Sequence, residues 1–220
     1  MSRSSLFRFS FIVGLLAALG PAKAEFCENQ DFTRQIDFII SEAKRVNAFS
    51  GRPKVHVVKS NELNALAIKD GHIIFSTGII AAFENDAEFY SILFHEIAHH
   101  ALGHLKEQKQ STPLEALLGS GLGDIVGFYQ QGQMSQQQES EADLFAAKVL
   151  GRLGYDPSVI LKALSKIDSD QPSLLDTLFG SHPLGQARMS FLKERMSSIV
   201  RAQTGLISRP WPRFPWRCKD

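Results

Sequence analysis

The sequence is short of most features that would mark a specialised chain. Of its 220 residues only two are cysteines, Cys27 and Cys218, so one intrachain disulfide at most can form. Neither sign of charge dominates: 24 Lys and Arg stand against 23 Asp and Glu, a formal net charge of +1. Nucleic-acid binding calls for a large basic field, and none is present. There is no internal repeat and no clear second domain. No apolar run reaches the roughly 20 residues that a membrane-spanning helix needs. The rest is an ordinary globular composition, 44% hydrophobic and 21% charged, which argues against disorder and against a polytopic membrane protein. The length suits one domain with a sizeable core.

The N-terminus has the three parts of an export signal. Arg3 and Arg8 give a positive start, "FIVGLLAALG" a short apolar run, and Ala22-Lys23-Ala24 a small-x-small cleavage site. Cleavage is expected after Ala24, with an uncleaved membrane anchor as the alternative. Loss of Arg3, Arg8 and Lys23 takes the formal charge from +1 to −2. An exported chain meets an oxidising compartment, where Cys27 and Cys218 are candidates for a bridge between the ends of the mature protein. Ala24-Glu25-Phe26 does not look like a lipid-attachment signal, so Cys27 is not read as an acylation site. The expected organisation is a signal peptide over 1–24, one domain over 25–205 and an extended tail over 206–220. That tail, "SRPWPRFPWRCKD" in its last part, holds three prolines and three aromatics.

Periodicity supplies the elements. Phe32, Ile36, Ile39, Ile40, Ala43 and Val46 share one face of a helix over 31–47. "KVHVVKS" (54–60) reads as a strand, and "NALAIKDGHIIFSTGII" (64–80) as two strands joined at Asp70-Gly71. A helix opens at Asp86 and runs to about Gln108. The apolar, small-residue run over 113–129 reads as a packed helix, with a membrane-contacting lip as the alternative. Further helices are expected over 135–153 and 157–168, and a last one after Pro183. The pattern is α+β, mainly helical, with a small β-sheet.

The chemistry is concentrated in "HEIAHHALGHL" (95–105). His95 and His99 stand one helical turn apart and project from one face. Glu96 lies about 100° around the helix, where it can reach a metal-bound water without ligating the metal. Random ordering of 7 His and 12 Glu would give this H-E-x-x-H spacing about 1% of the time, so context must support it. The context does: Phe89, Ile92, Leu93, Ile97 and Leu102 offer a side to bury, which favours a metal site over a surface helix with solvated histidines. A catalytic zinc takes three protein ligands and keeps one position for water. The metzincin frame would place a third histidine at 105 and a glycine at 102, and both are leucine. On a continuing helix His104 lies about 180° from His95, and His100 also points away. Both are read as structural or supporting residues. The third ligand must come from elsewhere. In "ESEAD" Glu139 and Asp143 share a helix face, so one can ligate while the other accepts a hydrogen bond from a metal-bound imidazole. Glu141 points elsewhere. The alternative is an acidic first turn that serves only the helix dipole.

These segments together resemble the HtpX/CAAX-prenyl-protease superfamily of gluzincin metallopeptidases, most closely its small exported BepA/LoiP-like and Oma-like members. The resemblance rests on "NALAIKDGHIIFSTGII", "HEIAHHALGH", "ESEADLFAAKVL" and "SHPLGQAR", and spans roughly residues 55–195. It implies a zincin-like metalloprotease domain with a small sheet beside the H-E-x-x-H helix. It implies one Zn2+ per chain, held by His95, His99 and Glu139, with Glu96 as general base and Asp143 behind a ligand. The family's His-Pro histidine falls on His182, near the metal in relatives, and Arg188 is placed to support the carboxylates. Some relatives carry a C-terminal helical-repeat domain, which this sequence is too short to include.

The implied reaction is hydrolysis of peptide bonds in unfolded or misassembled cell-envelope proteins, in a periplasmic or secreted location. Peripheral contact with the membrane or with envelope complexes is left open. Substrate is expected to lie extended along an edge strand within 72–80. A chaperone-like binding protein with a latent zinc site covered by the His182 segment and the tail is one alternative. A structural zinc protein with four protein ligands is another.

Overall fold

The computed structural model describes residues 25–61, 63–107, 134–168 and 186–219. The expected segments over 1–24 and 113–129, and the residues around Pro183, lie outside them.

The first helix, α1 (Gln30–Arg45), is set by its ends and its face. The Asn29 side chain accepts from the Phe32 amide, and Lys44 and Arg45 sit favourably at the C-terminal end of the dipole. Phe32, Ile36, Ile39 and Ala43 are buried. Around α1 the chain forms five strands: β1 (Phe26–Glu28), β2 (Lys54–Val58), β3 (Ala65–Ile68), β4 (His72–Ser76) and β5 (Arg217–Lys219). Their order in the sheet is β3-β4-β2-β1-β5, with β2 and β4 parallel and the other neighbours antiparallel. Asp70 takes the left-handed backbone (φ 63°) that the β3–β4 turn requires, a conformation Asp tolerates better than most residues.

Two sequence expectations change here. The strand expected through residue 80 stops at Ser76, whose hydroxyl accepts from the Ile79 amide and caps a short helix, α2 (Thr77–Ala82). β4 is also interior, hydrogen-bonded to β2 on one side and β3 on the other, so 72–80 offers no free edge. Among the described residues the edge strands are β3 and β5.

The helix with the clustered histidines, α3 (Asp86–Ala101), is central. Asn85 caps it, and every residue from Asp86 to His99 is buried. Burial all round replaces the one-sided burial expected, because β3, α4 (Gln136–Leu153) and α5 (Val159–Asp168) all pack on it. The exception is Leu102, which is 45% exposed just beyond the helix end. α3 stops seven residues short of Gln108. Gly103 turns left-handed (φ 79°), and a single 3-10 turn, His104–Glu107, follows. The buried Glu88 carboxylate accepts from the Glu84 amide, Asn85 and Lys166, and also meets Lys162, tying α5 to the start of α3. A last helix, α6 (Gln186–Met196), packs on α4 and α5.

The tail is extended but not loose. The segment leading into it crosses α4 at Gly151, where an added Cβ would lie 2.8 Å from the Val200 carbonyl. Trp211 is buried, stacks on Phe89 with 4.7 Å between ring centroids, and donates to the Ile80 carbonyl. Asp86 accepts from the Ser208 hydroxyl and the Arg209 amide. The tail is thus anchored at the N-terminal end of α3. Asp86 is about 13 Å along the helix from His95, from nine residues at 1.5 Å each. The tail does not lie over the histidines, which removes its expected part in covering the site. Its end, β5, pairs with β1, and Cys27 and Cys218 are disulfide-bonded across that pair.

The bridge joins residues 191 apart in sequence. Constraining the unfolded chain over such a span is worth about 2–5 kcal/mol. The double variant Cys27→Ser/Cys218→Ser is expected to lose stability in that range, read from urea unfolding. An unchanged midpoint and slope would mean that β5 holds without its bridge.

Candidate metal centre

Three helices deliver the polar residues of the site into the core. α3 supplies His95, Glu96 and His99, α4 supplies Glu139 and Asp143, and α6 supplies Arg188; none is more than 3% exposed. The register of α4 is set at its start by a reciprocal cap: the Ser135 hydroxyl accepts from the Gln138 amide, and the Gln138 side chain accepts from the Ser135 amide. That cap places Glu139 in the first turn and Asp143 one turn later on the same face. The side chain of Glu139 is wholly buried against α3, so serving the dipole is not its only part.

His95 Nε2 lies 3.1 Å from His99 Nε2 and 3.3 Å from Glu139 Oε2, and His99 Nε2 lies 3.6 Å from Glu139 Oε1. A tetrahedral metal with bonds of about 2.0–2.1 Å has ligand–ligand edges of about 3.3–3.4 Å. The triangle has that size, and two imidazoles with one carboxylate suit a borderline divalent cation. Among the described residues, His95, His99 and Glu139 are the group that could hold one.

Behind the triangle, Asp143 Oδ1 accepts from His95 Nδ1 at 2.9 Å, which leaves Nε2 to face the other two groups. Arg188 donates through Nη2 to Asp143 Oδ1 (2.7 Å) and through Nε to Oδ2, and its Nη1 is 3.0 Å from Glu139 Oε2. Burial by itself would raise the Asp143 carboxyl, but the hydrogen bonds from Arg188 and His95 hold it below its ordinary value. Burial alone would lower His95, yet its bonds to Asp143 and Glu139 push the metal-free imidazole up to about 10. Glu96 is buried one residue after His95, near enough to Arg188 and His100 to act on both electrostatically.

The other histidines divide. His100 turns to the sheet, where its Nε2 donates to the His72 carbonyl (3.2 Å), as a structural residue would. His104 does not face away. Because α3 ends before it, its buried ring returns beside His99, with the two Nδ1 atoms 3.0 Å apart. Its Nε2 meets Glu141 Oε2 at 3.2 Å, so Glu141 has a place that helix geometry alone did not show. His182 lies outside the described residues.

The raised value at His95 gives a pH dependence with a definite sign. In the metal-free protein its proton contributes stability that is fully present below about 6.5 and is lost as pH rises through about 10. A metal must displace that proton. Divalent-metal affinity is therefore expected to rise up to about tenfold per pH unit across the neutral range. Chelator competition at several pH values measures this, and a flat profile would mean that His95 is neutral, with its one proton on Nδ1, in the metal-free chain.

Residues 28–196 match Peptidase family M48. The metalloprotease LoiP of Escherichia coli (strain K12) is 28% identical over 170 residues, which cover 69% of this chain and 66% of LoiP. A beta-barrel assembly-enhancing protease of Yersinia pestis is 31% identical over 182 residues, 70% of this chain and 37% of the relative. The mitochondrial metalloendopeptidase OMA1 of Arabidopsis thaliana is 27% identical over 150 residues, 64% of this chain and 31% of the relative. The chain spans less than two thirds of the length of each. With more than half of its length matched, over a span that includes the site-bearing helices α3, α4 and α6, the chain belongs to Peptidase family M48.

Proposed function

We propose that the protein is a zinc-dependent metalloendopeptidase. The observation that carries this reading is the buried His95–His99–Glu139 triangle with Glu96 next to it on the same helix. Three protein ligands, not four, are gathered among the described residues, which favours a catalytic site with an open position over a structural zinc. When bound, zinc polarises water and lowers its pKa to about 7.

The remaining work falls to the chain's own side chains. Glu96 takes the proton from the attacking water and passes it to the leaving amine. Asp143, itself clamped by Arg188, keeps the His95 proton on Nδ1 and so keeps Nε2 available. On the family resemblance alone, His182 is proposed to contact the developing oxyanion. An extended substrate would add to the sheet at β3, the edge nearest α3, through backbone hydrogen bonds that demand little of its sequence.

The substrates proposed are unfolded or misassembled cell-envelope proteins, in keeping with the name of the Yersinia pestis relative. The location proposed is periplasmic or secreted after cleavage near Ala24, with the peptidase domain over 25–205 and peripheral contact with the membrane or envelope complexes. No helix among the described residues is long and apolar enough to cross a membrane.

Purified protein is expected to hydrolyse casein, to stop when chelated and to recover with zinc. Glu96→Gln should lower turnover by at least about 100-fold while zinc content stays unchanged. Turnover that survives this substitution would remove Glu96 as the base and with it this site as the seat of the hydrolysis.

A further inference from the structure

The two imidazoles of the triangle are backed by different chemistry. His95 rests directly on the Asp143 carboxylate. His99 rests on a second imidazole, that of His104, which rests in turn on Glu141. We propose that His104 and Glu141 form a relay that fixes the tautomer and orientation of His99, so that both are positioning residues of the metal centre. The proposal rests on the metal-centre reading above and adds two residues to it.

The direction of the relay follows from its outer end. An ionised carboxylate only accepts hydrogen bonds. Glu141 Oε1 accepts from Gln137 Nε2 at 2.8 Å, and Oε2 faces His104 Nε2 at 3.2 Å, so the His104 proton belongs on Nε2. A neutral imidazole then offers a lone pair at Nδ1. His99 Nδ1, 3.0 Å away, must donate to it. With its proton on Nδ1, His99 presents an unprotonated Nε2 to the triangle, as metal ligation requires. The opposite order would put a proton on His99 Nε2, where the cation belongs.

Local structure is arranged to make this contact. His104 reaches His99 only because α3 ends at Ala101 and Gly103 turns with φ 79°, which carries the chain back on itself. The His104 ring is 6% exposed, whereas the Glu141 side chain is 47% exposed. The relay therefore runs from a wholly buried ligand to a carboxylate at the surface. Water competes for Glu141, so its contribution is the smaller of the two.

Zinc affinity of the full-length chain, measured by competition with a fluorescent chelator, tests the relay without recourse to activity. His104→Phe keeps a ring in the buried position but offers no acceptor. It is expected to bind zinc about 10–100-fold more weakly. His104→Asn places an amide oxygen near the lost Nδ1, and should recover most of that affinity. Glu141→Ala, a change at a half-exposed side chain, should cost a few-fold and covers the case in which a core variant does not fold. Thermal unfolding of each metal-free variant reports whether it folds. Wild-type affinity in His104→Phe, or an Asn variant as weak as the Phe variant, would overturn the relay. A wild-type chain that binds zinc no better than His99→Ala would instead overturn the metal-centre reading, which is a different result.

Discussion

The carboxylate of Asp143 is where the three helices of the site are held together. It is wholly buried, and a buried charge costs several kcal/mol unless it is paired. Its partners come from two other helices: His95 from α3 and Arg188 from α6. Arg188 also reaches Glu139, so one guanidinium serves two carboxylates on α4. Glu96 adds a third buried carboxyl group nearby. Taken as ionised, three carboxylates against one guanidinium leave the site short of positive charge by the amount a divalent cation carries. In the metal-free protein the proton on His95 meets part of that shortfall. The preference for a cation is thus a property of the whole buried charge arrangement as well as of the three nearest donors.

The same helix is secured at its other end by separate means. Glu88 collects Lys162 and Lys166 from α5, while Asp86 and Phe89 receive the tail through Ser208, Arg209 and Trp211. These contacts fix the position of α3 without touching the residues that face the triangle. Precision at His95 and His99 is then inherited from a helix held along its length and buried on nearly all sides.

The parts of the site legible in the sequence were those that depend on the helical repeat alone. His95 and His99, and Glu139 and Asp143, are each four residues apart, and a four-residue spacing fixes a shared face whatever the rest of the chain does. His104 was not legible, because its direction depends on where α3 ends, and the turn at Gly103 reverses the prediction made for a continuing helix. Glu141 was missed for the same reason, its partner being His104. In the sheet, β1 and β5 are three residues long and carry no alternation to read. The strand expected over 72–80 was half right: Ile79 and Ile80 are β-formers by composition, but the Ser76 hydroxyl caps a helix there instead. Which strand is the edge is a matter of long-range pairing, and local sequence does not encode it. Leu102 fitted the apolar stripe of α3 and proved exposed, since the helix ends before it can turn that side chain inward.

The pairing of β5 with β1 also sets an order of events during synthesis. A ribosome delivers the N-terminal residues first. Cys27 then waits for a partner 191 residues further along the chain, and the slot beside Phe89 stays open until Trp211 arrives. Contacts between such distant residues form late, because the closure entropy must be met before they give any return. The helix that bears His95 and His99 is therefore made long before it is clamped. A nascent chain lacks the rigid frame of the mature one, and this timing separates the making of that helix from its clamping.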